Sequence, residues 1–335
     1  MQYVLAVDGG GTKTHCMLYN LERQEADLLH FGATNHEILV GGLEEMRQRL
    51  RDMTGQVMTR NNIEVKDIVY SVWGMAGLDT KSQHAIINGF IKELGFKDFT
   101  LCNDAYLCIK AGLKTGYGIC LLNGTGYNVA GINHEQKVFQ VGGQFEITGD
   151  FGGGLLLGKE AVKTTFMNLF RYRTETILTR MVMDEYEVTC QYEFMDRVTD
   201  WANSGKMPIP HIAKCVFDAA NAGDLQAVAM LERMAEEYAL SVKTLLEELS
   251  FDDEQIEIVL AGSLFTKRWS DIHLSALQCK LKAYIPQKQF ALRMLEQPPV
   301  IGALSWALEK HSIDHPLSTA RNVMKNISKG SKRST

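Results

Sequence analysis

Short β-rich runs separated by turns open the chain. Tyr3–Val7 stops at Asp8-Gly9-Gly10-Gly11-Thr12, His15–Leu21 resumes strand character, and Ala26–Phe31 offers a third strand. Such closely spaced runs predict a hairpin meander rather than an immediate βαβ crossover. The pattern then alternates: a helix over Leu43–Met58, a buried-type strand over Asp67–Trp73, a helix over Gln83–Leu94, a strand at Phe99–Cys102 and a helix over Ala105–Leu113.

The second part restarts in the same way. A strand at Gly118–Leu122 breaks at Gly124-Thr125-Gly126, and Asn128–Ile132 is its hairpin partner. Strands are again expected at Ile256–Leu260, ending in Ala261-Gly262-Ser263, and at Lys282–Ile285. Between them Leu225, Val228, Leu231, Ala235, Tyr238, Val242, Leu245 and Leu249 recur at intervals of three and four, an amphipathic helix with a core-facing stripe. The halves read as two copies of one ββ–α/β plan, the second carrying a helical insertion. Pro298-Pro299 announces a last helix over Val300–Lys310, expected to return to the first domain. The Ser/Lys/Asn-rich end, which lacks acidic residues after Asp314, reads as a frayed, disordered tail. The domains expected are 1–115 with a returning helix at about 300–316, 116–299, and a tail over 317–335.

Composition narrows the partners. The 335 residues are 45% hydrophobic and 22% charged, ordinary for a globular chain, with room for two domains. A net charge of -5 offers no basic field for nucleic acid or an anionic membrane. No apolar run approaches the roughly 20 residues that span a bilayer, and MQYVLAVDGGG has no basic signal-peptide region. The seven cysteines form no CxxC pair and several lie in apolar runs, which predicts reduced, buried thiols in a cytoplasmic protein.

Candidate chemistry sits at the strand ends. In Asp8-Gly9-Gly10-Gly11-Thr12-Lys13-Thr14 the glycines let backbone N–H groups approach an anion closely, Thr12 and Thr14 add hydroxyls, and Lys13 adds charge. Asp8 is placed to hold Mg²⁺ through water. The spacing is neither GxxxxGK[ST] nor GxGxxG. Asn123-Gly124-Thr125-Gly126 repeats the device, and Leu260-Ala261-Gly262-Ser263 brings backbone close enough to accept an adenosine. Each loop alone is also a plain glycine turn; the ordered set of three is specific.

Asp104, at the end of a strand and the start of a helix, can deprotonate a hydroxyl that attacks a γ-phosphoryl group, or it can be an N-cap, or both. Asn35 carries an amide that donates and accepts at once and so suits a polar ligand contact, against a simple Asn turn at Thr34-Asn35-His36, where His36 packs or caps. Gly74-Met75-Ala76-Gly77 reads as loop geometry.

DGGGTKT, NGTG and LAGS resemble the two phosphate motifs and the adenosine motif of the actin, hexokinase and Hsp70 superfamily. Across about residues 1 to 316 the chain is similar to the N-acetylglucosamine kinase and BadF/BadG/BcrA/BcrD ATPase family. Ala33-Thr34-Asn35-His36 looks like its sugar-contacting TNH loop, Cys102-Asn103-Asp104-Ala105 like the segment with its catalytic aspartate, and Gly142-Gly143 with Gly149-Asp150 like its GGWG…GDEGS stretch. The resemblance implies an α/β fold of two RNase H-like (actin-like ATPase) domains flanking a nucleotide and substrate cleft. It implies ATP and Mg²⁺ as cofactors, an amino-sugar acceptor met by Asn35, His36, Gly143 and Asp150, and a homodimer. Three departures bear on specificity: Gln144 replaces the GGWG tryptophan, Phe151 and Gly153 replace the glutamate and serine of GDEGS, and Tyr127 replaces the serine after GTG. If the replaced glutamate and serine contact sugar, the pocket is less polar here. Two alternatives stand beside the kinase: an ATPase activator of an acyl-CoA dehydratase or reductase, which holds iron–sulfur between subunits, and a catalytically silent sugar or nucleotide sensor.

Overall fold

The computed structural model describes residues 1–144, 148, 151–205 and 209–331. These form two compact units. One is Met1–Cys120 with Ala130–Val138 and Arg293–Thr335; the other is Leu121–Val129 with Phe139–Leu292.

The first unit is built on a five-stranded sheet of β1 (Tyr3–Gly9), β2 (Lys13–Asn20), β3 (Glu25–Gly32), β4 (Ile68–Met75) and β5 (Phe99–Cys102), in the order β3-β2-β1-β4-β5. β1, β2 and β3 are the expected antiparallel meander, whereas β4 lies parallel to β1 and β5 parallel to β4. Val4, Leu5, Ala6 and Val7 are all fully buried, as a central strand covered on both faces requires. Leu5 and Val7 join Met46, Leu50, Met53 and Val57 of α1 (Gly42–Asn61) and Ile87 and Ile91 of α2 (Lys81–Glu93) in one core. The other face of the sheet carries α3 (Asp104–Gly112) and, from far along the chain, α11 (Val300–Lys310). These two helices touch backbone to backbone: a Cβ on Gly302 would stand 1.9 Å from the Leu107 carbonyl oxygen. Beside them Lys110 is buried, its ammonium donating to Glu309 and Gln136 and lying 5.0 Å over the Trp306 ring.

A second five-stranded sheet repeats the order as β8-β7-β6-β9-β10, from β6 (Gly118–Asn123), β7 (Tyr127–Ile132), β8 (Val138–Gly142), β9 (Gln255–Ala261) and β10 (Gln289–Met294). The helical insertion comprises α4 (Gly154–Phe166), which continues into a π-helical turn at Met167–Tyr172, then α5 (Ile177–Glu185), α6 (Gln191–Ser204), α7 (Ile209–Asn221) and α8 (Leu225–Glu248). After it come the short α9 (Ser263–Thr266) and α10 (Ile272–Tyr284).

Three expectations fail, each for a local reason. The strand expected at Lys282–Ile285 is the end of α10: His273, Leu277 and Leu281 are buried at helical spacing, and Pro286 stops the helix before the strand forms at β10. The expected tail over 317–335 is helical as far as α12 (Pro316–Ser331). Proline is favoured at a first helical position, and Leu317, Ala320 and Val323 bury a narrow stripe spaced by threes in a helix that packs on α11. In α8, Leu225 is 82% exposed next to the Asp224 cap, so the buried stripe starts at Ala227.

Candidate functional site

In the first unit the β1–β2 turn is tied from both sides. Gly10 donates to the Lys13 carbonyl, and the Gly10 carbonyl accepts from the N–H groups of Thr34 and Asn35. Gly9 has no room for a side chain, since a Cβ there would sit 2.6 Å from the Thr34 hydroxyl. Thr12 and Lys13 are exposed; Thr14 is buried and shares its hydroxyl with Thr34 at 2.9 Å. The turn thus leaves Thr12 and Lys13 at the surface, and the Thr14 side chain fastens it to the Thr34 loop. Asp8, at the end of β1, accepts from or pairs with His15 Nδ1 through Oδ2 at 3.3 Å.

Asn35 is buried, and its Oδ1 accepts from Glu37 N at 2.9 Å, the turn reading of this residue. It is also wedged against the Gly74–Gly77 loop, where a Cβ on Gly77 would meet Asn35 Oδ1 at 2.3 Å. Gly77 has φ +77°, so only glycine fits both the backbone and the space. His36 stands next to Gln83, its Nε2 3.3 Å from the amide nitrogen, and burial lowers its pKa.

Asp104 is the first residue of α3, and the N-cap is its neighbour Asn103, whose Oδ1 accepts from Ala105 N at 2.9 Å. Asn103 Nδ2 donates to Asp79 Oδ1 at 2.9 Å, so both ends of that amide are fixed. The cap is thus Asn103 rather than Asp104. Burial, then the carboxylates of Asp8 and Asp79, push its pKa up to about 8, although backbone N–H groups at Ala105 and Asp104 pull the other way. Asp104 as a residue is half-buried. A base poised close to neutral pH is what proton removal from a hydroxyl requires.

In the second unit three glycine segments interlock. The Gly124–Gly126 turn is closed by Gly124 N to Gly126 O, and its carbonyls at Gly124 and Thr125 accept from Gly154 N and Leu155 N at the start of α4. A Cβ on Gly153 would be 2.5 Å from the Thr125 oxygen, and one on Gly262 (φ +89°) 2.2 Å from the Asn123 oxygen. Around them lies a cavity of about 600 Å³, the size of a small-molecule pocket. Gly124, Thr125 and Ser263 line it together with Lys159, Lys267, Trp201 and Trp269. Those lysines and tryptophans carry no motif and escape sequence reading, as do Asp79 and Gln83 in the first unit; only the fold brings them to the loops.

The departures from the family pattern turn inward. Phe151 is buried beneath the Arg233 guanidinium, 4.1 Å over its ring. Tyr127 stacks on Tyr238 of α8 and shares a hydrogen bond with the Ser241 hydroxyl, and Tyr238 donates to the Gly152 carbonyl. Gly143 follows β8 at φ +94°. Asp150 and Gly149 lie outside the described residues.

The residues fit the implied cofactors. A cavity lined by two indoles, two ammonium groups and close backbone suits a nucleotide. Asp8, with one carboxylate oxygen on His15, suits a cation that keeps most of its water. Among the described residues no three His, Cys, Asp or Glu side chains gather to hold a metal directly. Cys102 and Cys108 are buried; burial raises the first thiol, while a hydrogen bond with Cys120 followed by burial raises the second, which disfavours the thiolates an iron–sulfur cluster needs. Among the described residues no helix is long and apolar enough to cross a membrane.

The chain is 28% identical over 270 residues to an N-acetylmuramic acid/N-acetylglucosamine kinase of Clostridium acetobutylicum, covering 79% of this chain and 86% of that one. It is 21% identical over 269 residues to an N-acetyl-D-glucosamine kinase of Dictyostelium discoideum, covering 77% and 84%. The fold matches the crystal structure of a protein from Chromobacterium violaceum described as an N-acetylglucosamine kinase, with a TM-score of 0.63 at 20% identity over 90% of this chain and 98% of that one. A family model matches residues 5–307, and the chain belongs to the BadF/BadG/BcrA/BcrD ATPase family.

Proposed function

We propose that this protein is an ATP-dependent kinase that phosphorylates an amino sugar such as N-acetylglucosamine or a related hexosamine. The observation that carries the reading is Asp104: a half-buried residue at the start of a helix whose cap is Asn103, its carboxyl raised toward neutral pH. The names of the relatives in Clostridium acetobutylicum and Dictyostelium discoideum support the acceptor class.

In this reading the first unit handles the acceptor. The Thr34–Glu37 loop binds the sugar through Asn35 and His36, and Asp104 takes the proton of the attacking hydroxyl. Gly10, Gly11, Thr12 and Lys13 cradle phosphate oxygens, while Asp8 holds water-bound Mg²⁺. In the second unit Gly124, Thr125, Gly126, Gly262 and Ser263 hold the nucleotide, with Trp201 and Trp269 as apolar walls of its cavity. Bound Mg²⁺ neutralises charge on the phosphates. Phosphoryl transfer needs little covalent help from a protein, so placing these groups is most of the catalysis.

The test is ADP release from Mg²⁺-ATP across N-acetyl sugars, amino sugars, muramyl sugars and plain hexoses. Release that depends on one amino-sugar class is expected. Asp104→Asn is expected to leave nucleotide affinity nearly intact and to remove most transfer; near-wild-type turnover in that variant would sink the assignment. Failure of every sugar to stimulate release would overturn the kinase reading itself.

A further inference from the structure

Gln83 links the acceptor loop to the segment next to the base, and its own orientation is settled. Its Oε1 accepts from two backbone N–H groups, Asp79 N at 2.9 Å and Thr80 N at 2.8 Å, the return half of the capping box that starts α2. With the oxygen so committed, the amide cannot be flipped, and Nε2 faces outward as a donor of two hydrogens. Its neighbours are His36 Nε2 at 3.3 Å and Glu37 Oε1 at 3.4 Å.

A nitrogen that faces an amide NH₂ must accept. His36 Nε2 therefore carries no proton, and in the neutral imidazole the proton lies on Nδ1. This is a tautomer assigned by its partners. Burial works in the same direction, since it disfavours the imidazolium. Nδ1 is buried and has no hydrogen-bond partner among the described residues. A buried donor left unmet is costly, and this one lies next to Asn35, on the loop that Gly10 and Thr14 fasten to the β1–β2 turn.

We propose that Gln83 is a positioning residue that fixes His36 as the Nδ1–H tautomer, and that this N–H donates to an acceptor oxygen of the sugar substrate, a hydroxyl or the carbonyl of an N-acyl group. The proposal rests on the reading of Thr34–Glu37 as the acceptor-binding loop. It gives the loop a polarity. Asn35 Oδ1 is spent on Glu37 N, so what the loop offers a sugar oxygen is donors, Asn35 Nδ2–H and His36 Nδ1–H. Asp79, whose N–H helps to orient Gln83, also holds Asn103 beside Asp104, so one residue braces both the sugar contact and the base.

Long-range ¹⁵N–¹H correlation spectra of the labelled full chain resolve which nitrogen of each of the nine histidines is protonated. His36→Ala identifies the His36 signals by their loss. The wild-type protein is expected to show His36 as Nδ1–H with an accepting Nε2, and the acceptor sugar found by the ADP-release panel is expected to shift the Nδ1 signal. Gln83→Glu keeps an acceptor for Asp79 N and Thr80 N, so α2 stays capped, but it turns a carboxylate oxygen toward His36. That variant is expected to move the proton to Nε2, which turns Nδ1 from a donor into an acceptor. Its KM for the sugar should rise about three- to tenfold, with the KM for ATP unchanged, the size of one lost neutral hydrogen bond. His36→Ala should raise the same KM and leave the melting temperature within a few degrees. A wild-type His36 protonated on Nε2 would overturn the tautomer assignment. A Nδ1–H that sugar does not shift, or a Gln83→Glu variant with wild-type KM and wild-type tautomer, would overturn the positioning role. If no sugar stimulates ADP release, the kinase reading fails and the donor role with it, while the spectra still decide the tautomer.

Discussion

Gly152→Ala is a sharp test of how the second unit holds its Gly124–Gly126 turn. A Cβ at Gly152 would lie 2.2 Å from Tyr127 Cγ, 2.4 Å from Cδ2 and 2.5 Å from Cβ. Ordinary carbon contacts are near 3.5–4.0 Å, so the ring or the Gly152 backbone must move by more than 1 Å, by about 1.3 Å for Cγ alone. The ring has nowhere to go. It is stacked on Tyr238 at 5.3 Å between centroids, its hydroxyl is bonded to Ser241, and Gly142 already crowds its Cε1 edge. Moving the backbone instead breaks the Tyr238 bond to the Gly152 carbonyl. Overpacking of this kind costs about 1–3 kcal/mol and the lost buried hydrogen bond about 1 kcal/mol more. We expect a loss of about 3 kcal/mol, or about 6–12 °C in the melting of a unit of this size. Tyr127→Ser, which restores the residue usual in the family, leaves a void and should alone cost about 3 kcal/mol. Together the two changes should cost less than their sum by about 1–3 kcal/mol, because the new methyl fills space the ring has left. The assay is a double-mutant cycle by denaturant unfolding, followed through Trp201 and Trp269 fluorescence in variants that lack Trp73 and Trp306. Additivity within about 0.5 kcal/mol would refute the reasoning.

Further expectations follow from the same geometry. Because the Asp104 pKa is raised above its unfolded value, the stability it contributes to the metal-free protein is full below about pH 4 and is lost as pH rises toward 8; melting curves across that window should fall in the wild type and flatten in Asp104→Asn. The acid limb of kcat/KM should likewise lie well above pH 4, and Asp79→Asn, which removes one of the raising charges, should move it down; a wild-type limb near pH 4 would contradict the burial argument. Gly77→Ala, which drives a methyl into Asn35 Oδ1 at a positive φ, should raise the KM for sugar at least tenfold while sparing that for ATP. Trp269→Ala should weaken binding of a fluorescent ATP analogue with no effect on sugar affinity if the cavity of the second unit holds the nucleotide.

Much of this was legible along the chain because glycine leaves a distinctive trace. Turns as tight as Gly9–Lys13 and Gly124–Gly126 need residues without side chains, so both hairpins show in sequence, as does α11 behind its proline pair. The failures share a cause. Lys282–Ile285 is too short for period to separate strand from helix, and only the packing of Leu277 and Leu281 decides it. In the last helix, three buried residues at intervals of three were hidden by a composition typical of disorder. The cap falls at Asn103, one residue before the Asp104 alternative, because Asn and Asp cap equally well and the choice depends on Asp79, which stands 24 residues earlier. The same holds for Gln83 and His36, which are 47 residues apart and meet only when α2 packs beside the loop.

The replaced motif residues change where selectivity should be sought. Read as sequence, Phe151, Gly153 and Tyr127 suggest a less polar sugar pocket. In the fold Phe151 lies under Arg233, Tyr127 reaches to Ser241, and Gly153 leaves room for the Thr125 carbonyl. Restoring serine at 153 would drive its Cβ into that carbonyl unless the loop opened. These residues therefore compensate one another within the second unit, and a single reversion toward the family pattern should disturb the Gly124–Gly126 turn before it alters sugar choice. Among the described residues of the first unit, the polar groups proposed to discriminate among acceptors include His36 Nδ1, Asn35 Nδ2 and Asp104. Discrimination built on a buried donor and a buried carboxyl is strong against a sugar that lacks the matching oxygen and weak against one that merely adds an apolar substituent. Such a site separates acceptors by the hydroxyls and acyl oxygens they carry, and it tolerates variation in bulk.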